Sequence, residues 1–345
     1  MADLLISDSD RDALVGAGLL LGTIEGPVTF RVVASLPEVS RLLHDRRRSC
    51  TRILICGVPA AESGSLRSAL TVLQARGTRV RWFDSHDLLW TASVREQLDR
   101  LGVEVHLPEP HLPETERTSG LVLAHLLEEG APRAVQNARH LREAAGQVRA
   151  VEMGGPDWLV LVDAVEHDHR LLSNRAMRAA VLRVWEPDAP LVEMERRLVA
   201  LQRSREAKVQ RFLERLVAEE AFEQELLRFD AEAYPGLRYV RARMYAEAAR
   251  RRMRAEYVQV RVERGWSFAC RDPYRAGIDL QVAFLEQLFD LDVAVHGHPY
   301  RATVRVHGGA DVDERLMKAV ERALEDERTG RRRAISVPIE EEIDW

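Results

Sequence analysis

Three times in its first 170 residues the chain runs from an apolar stretch straight into acidic residues, and that pattern restricts what it can fold into. Residues 4–6 enter Ser7-Asp8-Ser9-Asp10-Arg11-Asp12, residues 78–83 enter Asp84-Ser85-His86-Asp87, and residues 158–162 enter Asp163-Ala164-Val165-Glu166-His167-Asp168-His169. Short apolar runs bounded by polar residues read as buried strands. Around them, strand-like segments at 28–34, 51–56 and 103–107 alternate with helical periodicity at 13–21, 66–74 and 91–101. This alternation predicts an α/β fold with a mainly parallel sheet and helices on both faces, whose chemistry lies at the carboxyl ends of the strands. The acidic clusters stand at such ends.

At 345 residues the chain exceeds what one core usually supports, so a second unit is expected. A proline-rich connection at Pro108, Pro110 and Pro113 leads to helices at 119–129 and 133–146. Residues 191–229 are nearly free of breakers and carry Leu198, Leu201, Phe212 and Leu216 at heptad-like spacing, which reads as long linker helices. That stripe is core or interhelix packing, or else the seam of a homodimer. After Pro235-Gly236 a basic helix at 239–254 precedes strands at 257–262, 267–270, 291–295 and 302–306, with helices at 280–289 and 312–326. The expected division is 1–185, a helical linker at 186–256, and a second, smaller α/β domain at 257–345.

Charge and cysteine content exclude several function classes. Fifty basic against 55 acidic residues leave a net charge of -5, so no global field draws the molecule to nucleic acid or anionic lipid. Three cysteines supply neither a disulfide framework nor a paired zinc motif and suit a reducing compartment. The early acidic residues do not resemble a secretory leader, and no apolar run approaches the ~20 residues of a membrane span. The expectation is a cytoplasmic protein without a membrane partner. Arginines at 241–254 read either as contacts to a phosphate backbone or as a solvated face paired with Glu219, Glu220, Glu223 and Glu225.

Carboxylates at alternating positions after a strand converge on one point, as hard divalent cations and two-metal hydrolases require. Asp8, Asp10 and Asp12 are so spaced, although acidic residues before a helix also serve as caps. The segment 8–20, with its small-residue helix, resembles the first motif of the DHH phosphoesterases. Residues 80–86 resemble the strand and signature that name that family, while 101–106 and 118–122 are similar to its downstream strand and helix start. Asp168 resembles the aspartate that closes the metal site, with Asp163 competing for that place. Farther on, Tyr300 to Gly309 resembles the DHH-associated substrate-binding domain, with Arg305 and Gly308-Gly309 as the counterparts of its arginine and glycine-rich loop.

The resemblance implies a manganese-dependent phosphoesterase. Its metal would be held by Asp10, Asp12, Asp84 and Asp168, with His86 and Arg305 on phosphate oxygens. Its substrates would be oligonucleotides, cyclic dinucleotides, polyphosphate or single-stranded nucleic acid. Departures stand beside the matches: Ala13 replaces a usual glycine, Cys56 or Gly57 the bridging aspartate, Ser85 the first signature histidine, and Ala310 the loop histidine. Losing two ligands cripples a metal pair, which leaves one weakly held ion or none. Two readings follow: a weak or degenerate phosphoesterase, or a catalytically inactive DHH-fold binding or scaffold protein.

Overall fold

The computed structural model describes residues 2–46, 50–60, 63–85, 90–108, 117–150, 153–218, 226–262, 266–271, 280–288, 290–291, 293–298, 301–306 and 312–329. His86, Asp87, Glu219, Glu220, Glu223, Glu225, Gly308, Gly309 and Ala310 lie outside the described residues.

Leu4, Leu5 and Ile6 are all fully buried, which requires a strand with neighbours on both sides and cover on both faces. They form β1 (Ala2–Asp8), paired with β2 (Val28–Val33) on one side and β3 (Cys50–Cys56) on the other. With β4 (Arg79–Phe83) and β5 (Val103–His106) the sheet has the order β2-β1-β3-β4-β5, every pair parallel. The chain steps from β1 outward to β2 and then returns past β1 to β3. Strand order therefore reverses between β1 and β3, and the crevice outside their carboxyl ends is the standard ligand position of an open α/β sheet.

Alternate side chains feed two cores. Leu4, Ile6, Ile53, Ile55 and Trp82 pack under the helices α2 (Leu36–Arg46), α3 (Gly64–Ala75) and α4 (Ala92–Arg100). Leu5, Leu54 and Phe83 pack under α1 (Arg11–Leu21), α5 (Thr118–Glu128), α6 (Pro132–Gln136), α7 (Ala138–Ala150), α8 (Asp157–Asp168) and α9 (Asn174–Leu182). The small residues of α1 allow its central place. A Cβ on Gly18 would stand 2.2 Å from the Val181 carbonyl oxygen, so α9 approaches as closely as a glycine permits.

The run 158–162, which follows the strand pattern in the sequence, lies inside α8 instead. Its residues are buried on all sides among helices, and a continuous apolar run looks the same in either setting. A second difference concerns α10 (Glu193–Ala218). Val199 joins the first core, whereas Phe212, Leu213 and Leu216 pack beneath a second sheet, and Leu201 is 47% exposed. Residues read as the end of the linker form β6 (Leu226–Asp230), an edge strand of that sheet.

The second sheet has the order β6-β7-β8-β10-β9, with β7 (Tyr257–Val262), β8 (Trp266–Arg271), β9 (Val293–His298) and β10 (Arg301–Val306). Only β6 and β7 run parallel among its pairs. Helix α11 (Ala242–Met253) covers one face, and α12 (Leu280–Leu288) and α13 (Asp313–Arg328) cover the other. The molecule is thus an α/β protein with a five-stranded parallel sheet between helix layers and a smaller second sheet. Among the described residues no helix is long and apolar enough to cross a membrane.

Candidate functional site

The β1–α1 turn aims its acidic residues at the reversal crevice because the strand ends at Asp8 and the helix needs a cap. Asp10 is that N-cap, its Oδ1 accepting from the amides of Asp12 (2.8 Å) and Ala13 (3.1 Å). Asp8, fully buried, accepts from the Asp10 amide at 3.1 Å. Asp12 turns to a different helix: its carboxylate accepts from the Thr118 amide (2.6 Å), the Ser119 amide (3.2 Å) and the Ser119 hydroxyl, and so caps α5. Both capping carboxylates sit at positive helix ends, which stabilises their charge.

The ends of β3 and β4 meet these residues. Cys56 closes β3, and its thiol is pushed up by burial first and then by the charges of Asp12, Asp10 and Asp84, so all four groups share one neighbourhood. Asp84, fully buried at the end of β4, accepts from the Trp90 indole N–H at 2.6 Å. Ser85 is buried and accepts from the Thr118 hydroxyl at 3.1 Å. Gly57 has φ +68°, and a Cβ there would stand 2.4 Å from the Cβ of Ala13. The two departures are therefore coupled: the methyl of Ala13 occupies the space a side chain at 57 would need.

Arginines, not evident as site residues in the sequence, enter from the helices and the second sheet. Arg301, 6% exposed on β10, places its guanidinium 3.3 Å from both Asp8 and Glu247. Arg243 on α11 donates to the Ser9 hydroxyl at 2.8 Å and pairs with Glu166 (2.8 Å) and Glu247 (3.4 Å). Arg11 grips Asp163 with two hydrogen bonds of 2.6 and 2.7 Å. Burial, followed by the charges of Asp8 and Asp12, raises the Asp10 carboxyl, while Arg301 and Arg243 oppose that rise. Burial also opposes ionisation of Glu247, yet Arg243, Arg301, Arg251 and Arg250 together bring it down to about 2. For Glu166 burial wins over Arg243, and its carboxyl is raised to about 7.

The structure brings Asp10, Asp12 and Asp84 together. Asp168 lies at the end of α8, held by Arg205 (2.7 and 3.2 Å) and by His167 Nδ1 (3.0 Å). Burial works against its charge, but those hydrogen bonds outweigh it and the carboxyl is lowered. Asp163 and Glu166 both reach the segment that joins β1 to α1, Asp163 through Arg11 and Glu166 through Arg243 and Ser9. Asp163, Glu166 and His167 lie three and four positions apart on one face of α8, around a cavity of about 120 Å³ that Arg11, Arg243 and Glu247 also line. Helical spacing would have revealed that face had the run been read as a helix. Arg305 lies exposed four residues beyond Arg301, about 13 Å along the strand. On β10, Arg301 is the arginine whose guanidinium reaches Asp8 and Glu247. His86 lies outside the described residues.

A manganese pair does not fit the described residues. Position 57 cannot carry a bridging carboxylate beside Ala13, Ser85 supplies no imidazole, the Asp12 oxygens receive three donors, and Asp168 is engaged by Arg205. A thiol held protonated by burial is a poor substitute. Elsewhere, Glu104, His106 and His125 bring ligand atoms within 4.8 Å of one another.

No protein-family model matches this chain, and no curated protein matches its sequence. Solved structures do. The DHH domain of a protein assigned to a family of ribosomal proteins has a TM-score of 0.57 at 14% identity, over 94% of this chain and 86% of that one. Cdc45 from Entamoeba histolytica has a TM-score of 0.53 at 10% identity, over 94% and 95%. An exonuclease RecJ bound to manganese has a TM-score of 0.50 at 16% identity, over 93% and 89%. The chain spans 51% of RecJ from Thermus thermophilus. At these identities the likeness is one of architecture, and by it the chain has the fold of the DHH proteins.

Proposed function

We propose that this DHH-fold chain is a catalytically inactive binding or scaffold protein whose ancestral two-metal cleft is held together by arginine and helix-end contacts. One observation carries the reading: carboxylates of the segment that joins β1 to α1 and of α8 are engaged by protein donors. Asp8 faces Arg301, Asp10 and Asp12 cap α1 and α5, Asp163 faces Arg11 and Asp168 faces Arg205. Guanidinium groups balance buried carboxylates without the coordination a metal needs, and their forked donors fix geometry as well as charge.

Phosphate-bearing ligands, such as short oligonucleotides or cyclic dinucleotides, form the class this reading favours. Arg243 and Arg301 pair with carboxylates and offer the same forked donors to a phosphate. The convergence of Asp10, Asp12 and Asp84 supports a second reading, a weak phosphoesterase using one divalent ion.

Hydrolysis of bis(p-nitrophenyl) phosphate over a manganese titration separates the two, with Asp10→Asn as control. The expected result is no manganese-dependent turnover above the buffer rate. Turnover that disappears in Asp10→Asn would overturn the proposal. Rebuilding a centre by Gly57→Asp needs Ala13→Gly in the same chain, because the two side chains compete for one space. Cys56→Asp with Ser85→His avoids that conflict.

A further inference from the structure

On the β5 edge of the parallel sheet, away from the β1 turn, a second set of ligating groups faces one point. Glu104 and His106 are two residues apart on β5, so their side chains share a face. His125 reaches the same place from α5. One ligand atom from each lies within 4.8 Å of the other two, and His106 Nε2 is 2.9 Å from Glu104 Oε1. Phe83 fixes both imidazoles, stacked on His106 at 4.5 Å with an interplanar angle of 8° and edge-on to His125 at 5.1 Å. The two imidazoles stand 4.3 Å apart, centre to centre.

A cation already occupies the gap. Arg81 Nε is 2.8 Å from Glu104 Oε2, and its Nη1 is 2.8 Å from Glu129 Oε1 and 3.2 Å from His125 Nε2. The same His125 Nε2 lies 3.3 Å from Glu129 Oε2, so this nitrogen faces a guanidinium and a carboxylate together. The Arg81 side chain is 25% exposed, which leaves it a route to swing into solvent and vacate the position.

We propose that Glu104, His106 and His125 bind a zinc-class divalent cation in exchange with the Arg81 guanidinium, clamping α5 onto the edge strand β5. Two imidazoles and one carboxylate are a donor set that zinc accepts, with water or Glu129 completing four-coordination. Ligand bonds of about 2.0–2.1 Å require the donor atoms to sit roughly 3.4 Å apart, so the group closes by at most about 1.5 Å around the ion. Burial, the first cause for each ring, disfavours the charged form of both His106 and His125. The site does not depend on the carboxylates of the β1 turn. Asp12 already pins the N-terminal end of α5, and a metal at His125 would pin its other end.

Zinc chloride titrated into the full chain against a competing chromophoric chelator tests the proposal, with cobalt replacing zinc for spectroscopy. The expected result is one zinc per chain and the intense visible absorption of tetrahedral cobalt without a thiolate charge-transfer band. Zinc affinity should fall at least tenfold in His106→Gln and in Glu104→Gln, whose side chain is 48% exposed. It should rise several-fold in Arg81→Met, which removes the competing cation, and stay unchanged in Asp10→Asn. The proposal is overturned by no uptake in either wild type or Arg81→Met, by affinity indifferent to Glu104→Gln and His106→Gln, or by a thiolate band.

Discussion

At the scale of single residues, the same side-chain types do opposite work according to what surrounds them. Asp12 is readable in the sequence as a metal ligand or a helix cap, and it caps, but the helix is α5, more than a hundred residues away. Local spacing cannot report such a partner. His169 shows the same dependence on surroundings. Burial is the largest cause lowering it to about 4, aided by Arg241, Arg170 and Arg243 and opposed by the Glu166 carbonyl. Its folded value lies below its unfolded value, so between about pH 6.5 and 4 the unfolded chain binds more protons and stability falls as pH falls. His169→Gln removes this effect. Relative to wild type, the variant should gain about 2 kcal/mol on going from pH 7 to pH 4 by urea denaturation. A pH-independent difference would show that burial does not perturb the histidine.

Elements are legible where propensity and packing agree. The strands of the parallel sheet and helices α1, α3, α4 and α5 fall within a few residues of their expected places because apolar periodicity, caps and glycine stops all point the same way. Helix α2 is less legible: in Leu36–Arg46 Val39 and Leu43 are buried in the core, Leu36 and Leu42 are only partly buried against it, and polar residues stand between them. The run 158–162 misleads for the opposite reason, being apolar throughout. Glycines in α1 give a test at this scale. Gly18→Ala drives a methyl to 2.2 Å from a backbone carbonyl and should destabilise by about 1–3 kcal/mol in urea denaturation. In Gly16→Ala the nearest atom is 3.4 Å away, a contact that fits, and the higher helix propensity of alanine should leave stability unchanged or up to about 1 kcal/mol higher. Equal effects at the two positions would contradict the close packing of α1 on α9.

For the whole molecule, the buried Arg301–Asp8 contact ties the second sheet to the first across 293 residues of sequence. Arg301→Met leaves the fully buried Asp8 without that guanidinium and should lower stability by roughly 3 kcal/mol, read as a shifted urea midpoint. A midpoint unchanged within error would mean the two sheets are not coupled through this pair. The alternation of strands and helices, the presence of a second sheet and the gathering of acidic residues at strand ends follow from the sequence itself, because hydrophobic period and turn chemistry act over a few residues at a time. Which arginine meets which carboxylate, as Arg301 meets Asp8 and Arg11 meets Asp163, and the steric link between Ala13 and Gly57 were decided by tertiary structure. Those depend on distances between segments remote in the chain, which packing alone establishes.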